Sequence, residues 1–129
     1  MKKTNILAID YGTKYIWVSY RNERSGLTMP IGTFMNDQYL MFNLGASLER
    51  YAIGKIVIWY PKQHKGLQAK IDALIKQLCF IEKKLEVVKV DEEYTSVQAA
   101  ATLGTQEKSL AEDTVASMHI LEFYLKTQE

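Results

Sequence analysis

Apolar residues are distributed along this chain in two alternating periods. The run Asn5-Ile6-Leu7-Ala8-Ile9-Asp10 is apolar from its second residue until a carboxylate closes it, and Tyr11-Gly12-Thr13-Lys14 follows. An apolar run without alternation predicts a strand buried on both faces, in the centre of a sheet that helices cover. Residues 14–21 and 27–34 are rich in β-branched and aromatic side chains, and a polar turn at 22–26 separates them. Such short connections predict antiparallel neighbours, so the first three strands should form a meander. Pro30 has no amide proton to give to a ladder, which makes the third strand an edge.

The period then changes. Leu40, Leu44, Leu48 and Tyr51 recur at three and four residues within 37–52, the spacing of an amphipathic helix that Gly54 would end. Residues 55–60 read as a second buried strand closed by Pro61. Gly66 opens another helix with Leu67, Ile71, Leu74, Leu78 and Ile81 on one face and lysines on the other. Residues 85–90 form a short strand ending in Asp91-Glu92-Glu93. Thr95-Ser96-Val97-Gln98 has capping-box form and starts an alanine-rich helix to Gly104. Ser109-Leu110-Ala111-Glu112 is a second such box, opening a final helix that reaches about Leu125. The order β-β-β-α-β-α-β-α-α predicts an α/β protein with a mixed sheet and helices on its faces. No linker or internal repeat interrupts it, so residues 1–129 are expected to be one domain.

Composition narrows the function classes. With 129 residues, 47% hydrophobic and 24% charged, the chain can build one proper core. Its net charge of +1 gives no global basic signal. A nucleic-acid partner would have to be attracted by local patches or by metal ions. The single cysteine, Cys79, cannot form an internal disulfide; it lies in an apolar helical pattern and is expected in the core, consistent with a reducing, cytoplasmic home. No run approaches the ~20 apolar residues that cross a bilayer, so no membrane partner is expected. Met1-Lys2-Lys3-Thr4 is basic, but the apolar run behind it ends too soon for a signal peptide.

Carboxylates recur at the expected strand and helix ends. Asp10 closes the first strand, Asp91 and Glu92 follow the last, and Asp113 lies in the first turns of the final helix. In open α/β sheets, ligands bind outside the carboxyl ends of the strands, where these groups would meet if the first and last strands run the same way. Clustered carboxylates repel unless a cation neutralises them, and hard oxygen donors suit Mg²⁺ or Mn²⁺. Two such ions about 4 Å apart can activate water and stabilise a leaving oxygen in phosphodiester hydrolysis. Each acid also has a plainer reading: a turn residue at Asp10, a solvated strand exit at Asp91 and Glu92, a helix-dipole partner at Asp113.

Four segments together resemble a known family. Leu7-Ala8-Ile9-Asp10-Tyr11-Gly12-Thr13-Lys14 is similar to the Asp-x-Gly-x-Lys opening of the YqgF family, also called RuvX, the Holliday-junction-resolvase-like nucleases. Ile56 to Pro61, with Gly66 behind it, resembles the family's middle strand and Pro/Gly loop. Val90-Asp91-Glu92-Glu93-Tyr94-Thr95-Ser96-Val97-Gln98-Ala99 resembles its Val-Asp-Glu-Arg-x-Thr-Thr-x-x-Ala, and Asp113-Thr114-Val115-Ala116-Ser117 its closing Asp-x-x-Ala-Ala. The resemblance implies an RNase H-like fold, with a mixed five-stranded sheet of three antiparallel strands and then βαβ-type segments, helices on both faces. It implies a Mg²⁺- or Mn²⁺-dependent endonuclease for structured nucleic acid, associated with maturation of the 5′ end of the pre-16S ribosomal RNA. Asp10, Glu92 and Asp113 would be the catalytic metal ligands, with Asp91 a neighbour of open role. Lys14 would contact phosphate, joined by Lys62 and Lys65 on the middle loop; Thr95 and Ser96 would offer hydroxyls or cap their helix.

The chain departs from that pattern in its basic and small residues. Tyr15 and Glu93 stand where the family has arginine, Trp17 and Trp59 where it has glycine, Gln63 where it has asparagine and Lys65 where it has aspartate. Losing two guanidiniums removes bidentate phosphate contacts that lysine does not reproduce, for which Lys62, Lys65 and His64 on the loop beside the site would compensate only in part. The indoles are either base-stacking faces or space-filling core and rim. Three readings are therefore carried forward: a nuclease for ribosomal RNA precursors, a nuclease for branched DNA, and a nucleic-acid-binding protein that no longer cuts. Monomer and homodimer are both compatible with the sequence, and neither His64 nor His119 has zinc-ligand spacing.

Overall fold

A computed structural model of the protein describes residues 3–90 and 110–127, with side chains in the second segment described from Ser117 onward. Five strands form one sheet: β1 (Asn5–Tyr11), β2 (Tyr15–Asn22), β3 (Leu27–Met35), β4 (Ile53–Trp59) and β5 (Glu86–Val90), in the order β3-β2-β1-β4-β5. The helices are α1 (Leu40–Arg50), α2 (Lys65–Ile81) and α3 (Leu110–Thr127). The meander β1–β2–β3 is antiparallel, while β4 and β5 run parallel to β1. The helix expected from Thr95 to Gly104 lies outside the described residues.

The apolar run at the N-terminus takes the central position, buried on both faces as the neighbouring β4 also is. Leu7 and Ile9 point into one core with Ile56, Ile58 and the inner faces of α1 and α2. Ile6 and Ala8 point into the other with Val57, Val90, Ile120, Leu121 and Tyr124 of α3. Pro30 does lie on an edge strand, and the β2–β3 ladder shifts register there, where Ser19 pairs with Pro30 and Val18 with Gly32.

Several expectations need correction. Ala52, with φ 50°, makes the left-handed turn after α1, and Gly54 is already inside β4. A glycine is needed at 54 for a different reason: a Cβ there would run into the backbone carbonyl of Lys3. Ile81, the last residue of α2, is 55% exposed instead of buried. Cys79 is half-buried beside the core and not within it.

Two polar contacts fix α3 against the sheet. Ser117 and Ser19 of β2, both fully buried, share a hydrogen bond. At the other end Lys55 Nζ of β4 donates to Tyr124 Oη at 2.6 Å. A buried hydroxyl pair holds one helix register, since any slide leaves a polar group in apolar surroundings. Ser19→Ala and Ser117→Ala are each expected to cost about 1 kcal/mol, with the double variant losing clearly less than the sum. Urea denaturation of the three variants measures this, and strict additivity would contradict the pairing.

Candidate functional site

The alternation of β1 decides where Asp10 points. Ile6 and Ala8 face α3, so Asp10, the next even residue, lies on the α3 side at the carboxyl end of the strand. It is half-buried, and Trp17 of β2 pairs directly across from it. On the other side the parallel register matches Ile9 with Ile58, which puts Trp59 next to Asp10. Trp59 packs into the α3 core, so both indoles share the face of the carboxylate.

Helix α3 runs obliquely back toward this edge. Tyr124 contacts Lys55 at the start of β4, and Ser117 contacts Ser19, which pairs with Ala8 midway along β1. The helix therefore advances toward the carboxyl end of β1 as the chain is followed backwards. Position 113 is one turn before Ser117 in the same helix, about 6 Å away along its axis. Strand β5 leaves the sheet at the same edge: Val90 pairs with Trp59, and the amide of Tyr60 donates to the Val90 carbonyl at 2.7 Å. Asp91, Glu92, Thr95 and Ser96 lie outside the described residues, as does the Asp113 side chain. No group of three metal-ligating side chains occurs among the described residues, and of the three expected acids only the Asp10 side chain is among them.

The cationic residues surround this edge. Lys14 is exposed in the β1–β2 turn, its Nζ 5.4 Å from the centre of the Tyr15 ring. Lys62 and Lys65 are exposed on the loop after β4 and at the start of α2. Gln68 Nε2 holds that loop by donating to the carbonyls of Pro61 and Lys62, at 2.9 and 3.0 Å. His64 is committed to structure, its Nδ1 accepting from the amide of Leu67 as the cap of α2.

The decisive comparison covers almost the whole chain: the family model for RuvX, Holliday junction resolvase, matches residues 4–127. The chain belongs to the RuvX family. By family it is a nuclease, a hydrolase of phosphodiester bonds. It is 29% identical over 130 residues to a relative from Sulfurihydrogenibium sp. (strain YO3AOP1), covering 95% of this chain and 90% of that one. It is 27% identical over 132 residues to one from Chlorobium phaeobacteroides (strain BS1), covering 94% and 91%. Both carry the provisional name pre-16S rRNA nuclease. Among solved structures, the Fowlpox virus Holliday junction resolvase is similar at TM-score 0.62 and 14% identity, over 96% of this chain and 99% of that one. RuvC of T. thermophilus, in complex with Holliday junction substrate, is similar at TM-score 0.59 and 10% identity, over 96% of each. These two likenesses show the shared RNase H-like fold.

Residues that sequence patterns did not single out brace the loops at this edge. Asn36, after β3, folds back on the β1–β2 turn: its side-chain amide donates to the Gly12 carbonyl and its backbone amide to the Lys14 carbonyl, both at 2.9 Å. At the β5 exit, Asp72 of α2 accepts from Tyr60 Oη at 2.9 Å and pairs with Lys89 Nζ at 2.9 Å. The Lys89 ammonium also lies 4.4 Å from the centre of the Tyr60 ring. No spacing signal reveals either brace, because each joins residues distant in sequence through one side chain.

The Lys89 hydrogen bond, aided by that of Tyr60, lowers the Asp72 pKa below its ordinary 3.8. A depressed carboxylate stabilises the fold above its unfolded pKa, and this contribution is lost as pH falls through the lowered folded value. Asp72→Ala is expected to lower the hydrogen-exchange protection of the Tyr60 amide several-fold while leaving that of Ile9 unchanged. Acidification well below pH 4 should loosen Tyr60 in the same way in the parent chain. Unaltered Tyr60 protection in the variant would contradict the brace.

Proposed function

We propose that this RuvX protein is a divalent-metal-dependent endonuclease that trims the 5′ end of the 16S ribosomal RNA precursor. The observation that supports the reading is Asp10 at the carboxyl end of β1, on the α3 face, at the same sheet edge where β5 ends at Val90. Asp10, Glu92 and Asp113 would be the metal ligands, with Asp91 beside them. Their hard carboxylate oxygens fit Mg²⁺ or Mn²⁺, and Asp10 is held by a strand paired on both sides, which suits a ligand that must not move. The metal, when bound, would lower the pKa of water and offset charge at the leaving oxygen.

The chain itself binds and orients. Lys14, on the turn clamped by Asn36, would meet the phosphate beside the scissile bond, while Lys62 and Lys65 would attract the backbone on the loop next to it. Thr95 and Ser96 would add hydroxyl contacts. RNA is preferred to branched DNA because relatives named for ribosomal RNA are 24–29% identical over nearly the full chain. The similar resolvases of solved structure are 10–16% identical.

The test is cleavage of a labelled 16S precursor fragment and of a four-way DNA junction, each with Mg²⁺, Mn²⁺ or chelator, with Asp10→Asn alongside. The precursor is expected to be cut only with metal, and Asp10→Asn should reduce turnover at least about a thousandfold without loss of fold. Undiminished turnover in the variant would refute the assignment. Cutting of the junction in preference to the precursor would overturn the choice of RNA.

A further inference from the structure

We infer that Tyr15 and Trp17 form a stacking ledge for unpaired bases next to the scissile bond, so that the substrate is nucleic acid with a single-stranded segment at the cut. The inference rests on the nuclease reading above and narrows its substrate class.

Tyr15 and Trp17 alternate with Ile16 and Val18, which enter the α1–α2 core, so both rings lie on the Asp10 face of β2. Their centroids are 6.1 Å apart with planes at 53°, and Trp17 is directly across from Asp10. The indole lies against the β1–β2 turn: a Cβ at Gly12 would be 2.9 Å from Trp17 Cζ3 and would also meet the carbonyl of Tyr15. Gly12 is thus what lets the ring occupy this position. Farther out, Met35 of β3 pairs with Tyr15 and is 56% exposed, so the ledge stays open toward the sheet edge.

Trp17 Nε1 is buried without a hydrogen-bond partner among the described residues, so the one polar atom of the ring is turned inward. What remains accessible of this half-buried ring is its apolar surface, which suits a base and discriminates little between bases. The Lys14 ammonium beside Tyr15 supplies the complementary charge for the accompanying phosphate. A strand-to-strand step of about 4.8 Å from Asp10 to Trp17 puts the ledge within one nucleotide of the reacting phosphate. A continuous duplex keeps its bases stacked on each other and offers none to these rings.

The experiment measures binding without metal, so it does not depend on cleavage. Fluorescence anisotropy would compare a labelled RNA hairpin carrying a two-nucleotide unpaired tail, the same hairpin blunt, and one whose tail is abasic. The tailed hairpin should bind about ten- to a hundredfold tighter than the other two. Trp17→Ala should erase that preference, Trp17→Phe should keep most of it, and Tyr15→Ala should weaken it. Equal binding of tailed and blunt hairpins by the parent chain, or a preference that survives in a folded Trp17→Ala protein, would overturn the ledge. A metal-dependent cut lost in Asp10→Asn together with no tail preference would leave the nuclease standing and remove only this inference.

Discussion

Everything at the candidate site depends on the double burial of β1. The strand is hydrogen-bonded on both sides and covered by helices on both faces, so its register has no freedom. Sliding it by one residue would exchange the two sets of core side chains and turn Asp10 toward α1 and α2. The start of the strand is fixed as well, with Asn5 bonded to the carbonyls of Tyr51 and Ala52 and Lys3 pressed against Gly54. A carboxylate mounted on such a strand has almost no conformational entropy left to lose on binding a cation, a direct link from core packing to chemistry.

The two ends of the sheet are treated differently by charge. At the amino end, Lys3 is bonded to Glu49 at 2.5 Å and Glu82 at 2.9 Å, which raises its pKa and uses up its charge within the fold. At the carboxyl end, Lys89 is likewise engaged by Asp72, while Lys14, Lys62 and Lys65 are exposed around the edge. A chain of net charge +1 can therefore present a local cationic border to a polyanion without being basic overall. The braces through Asn36 and Asp72 hold the two loops of that border, which connects stability to the placement of these lysines.

Much of this was legible in the sequence, for reasons that are local. Unbroken apolar runs marked β1 and β4, and three-four periodicity marked α1 and α2, because core burial imposes those periods directly. The motif carboxylate Asp10 and the edge character of the strand with Pro30 could be read the same way. Contacts between distant residues could not. Nothing near Ser117 or Ser19 reveals that they pair, and Asn36 looks like an ordinary turn residue until its 24-residue return to Gly12 is seen. Ile81 continued the apolar period of α2 at a position that is 55% exposed, since periodicity records phase and not the extent of the covering surface. For Trp17 the sequence allowed both a packing and a stacking role, because residue type alone does not show which part of the ring stays exposed; the strand register puts it across from Asp10.

The central claim is that a divalent cation binds at the carboxyl edge of β1, on the face shared with α3. Mn²⁺ titration followed by paramagnetic broadening of backbone amide signals tests it most directly. The account predicts that the amides of Tyr11, Trp59 and Tyr60 broaden first, while those of Asn5, Ile53 and Lys55 at the opposite end remain sharp. Broadening centred on the amino end, or spread evenly over surface carboxylates such as Glu49 and Glu86, would contradict it.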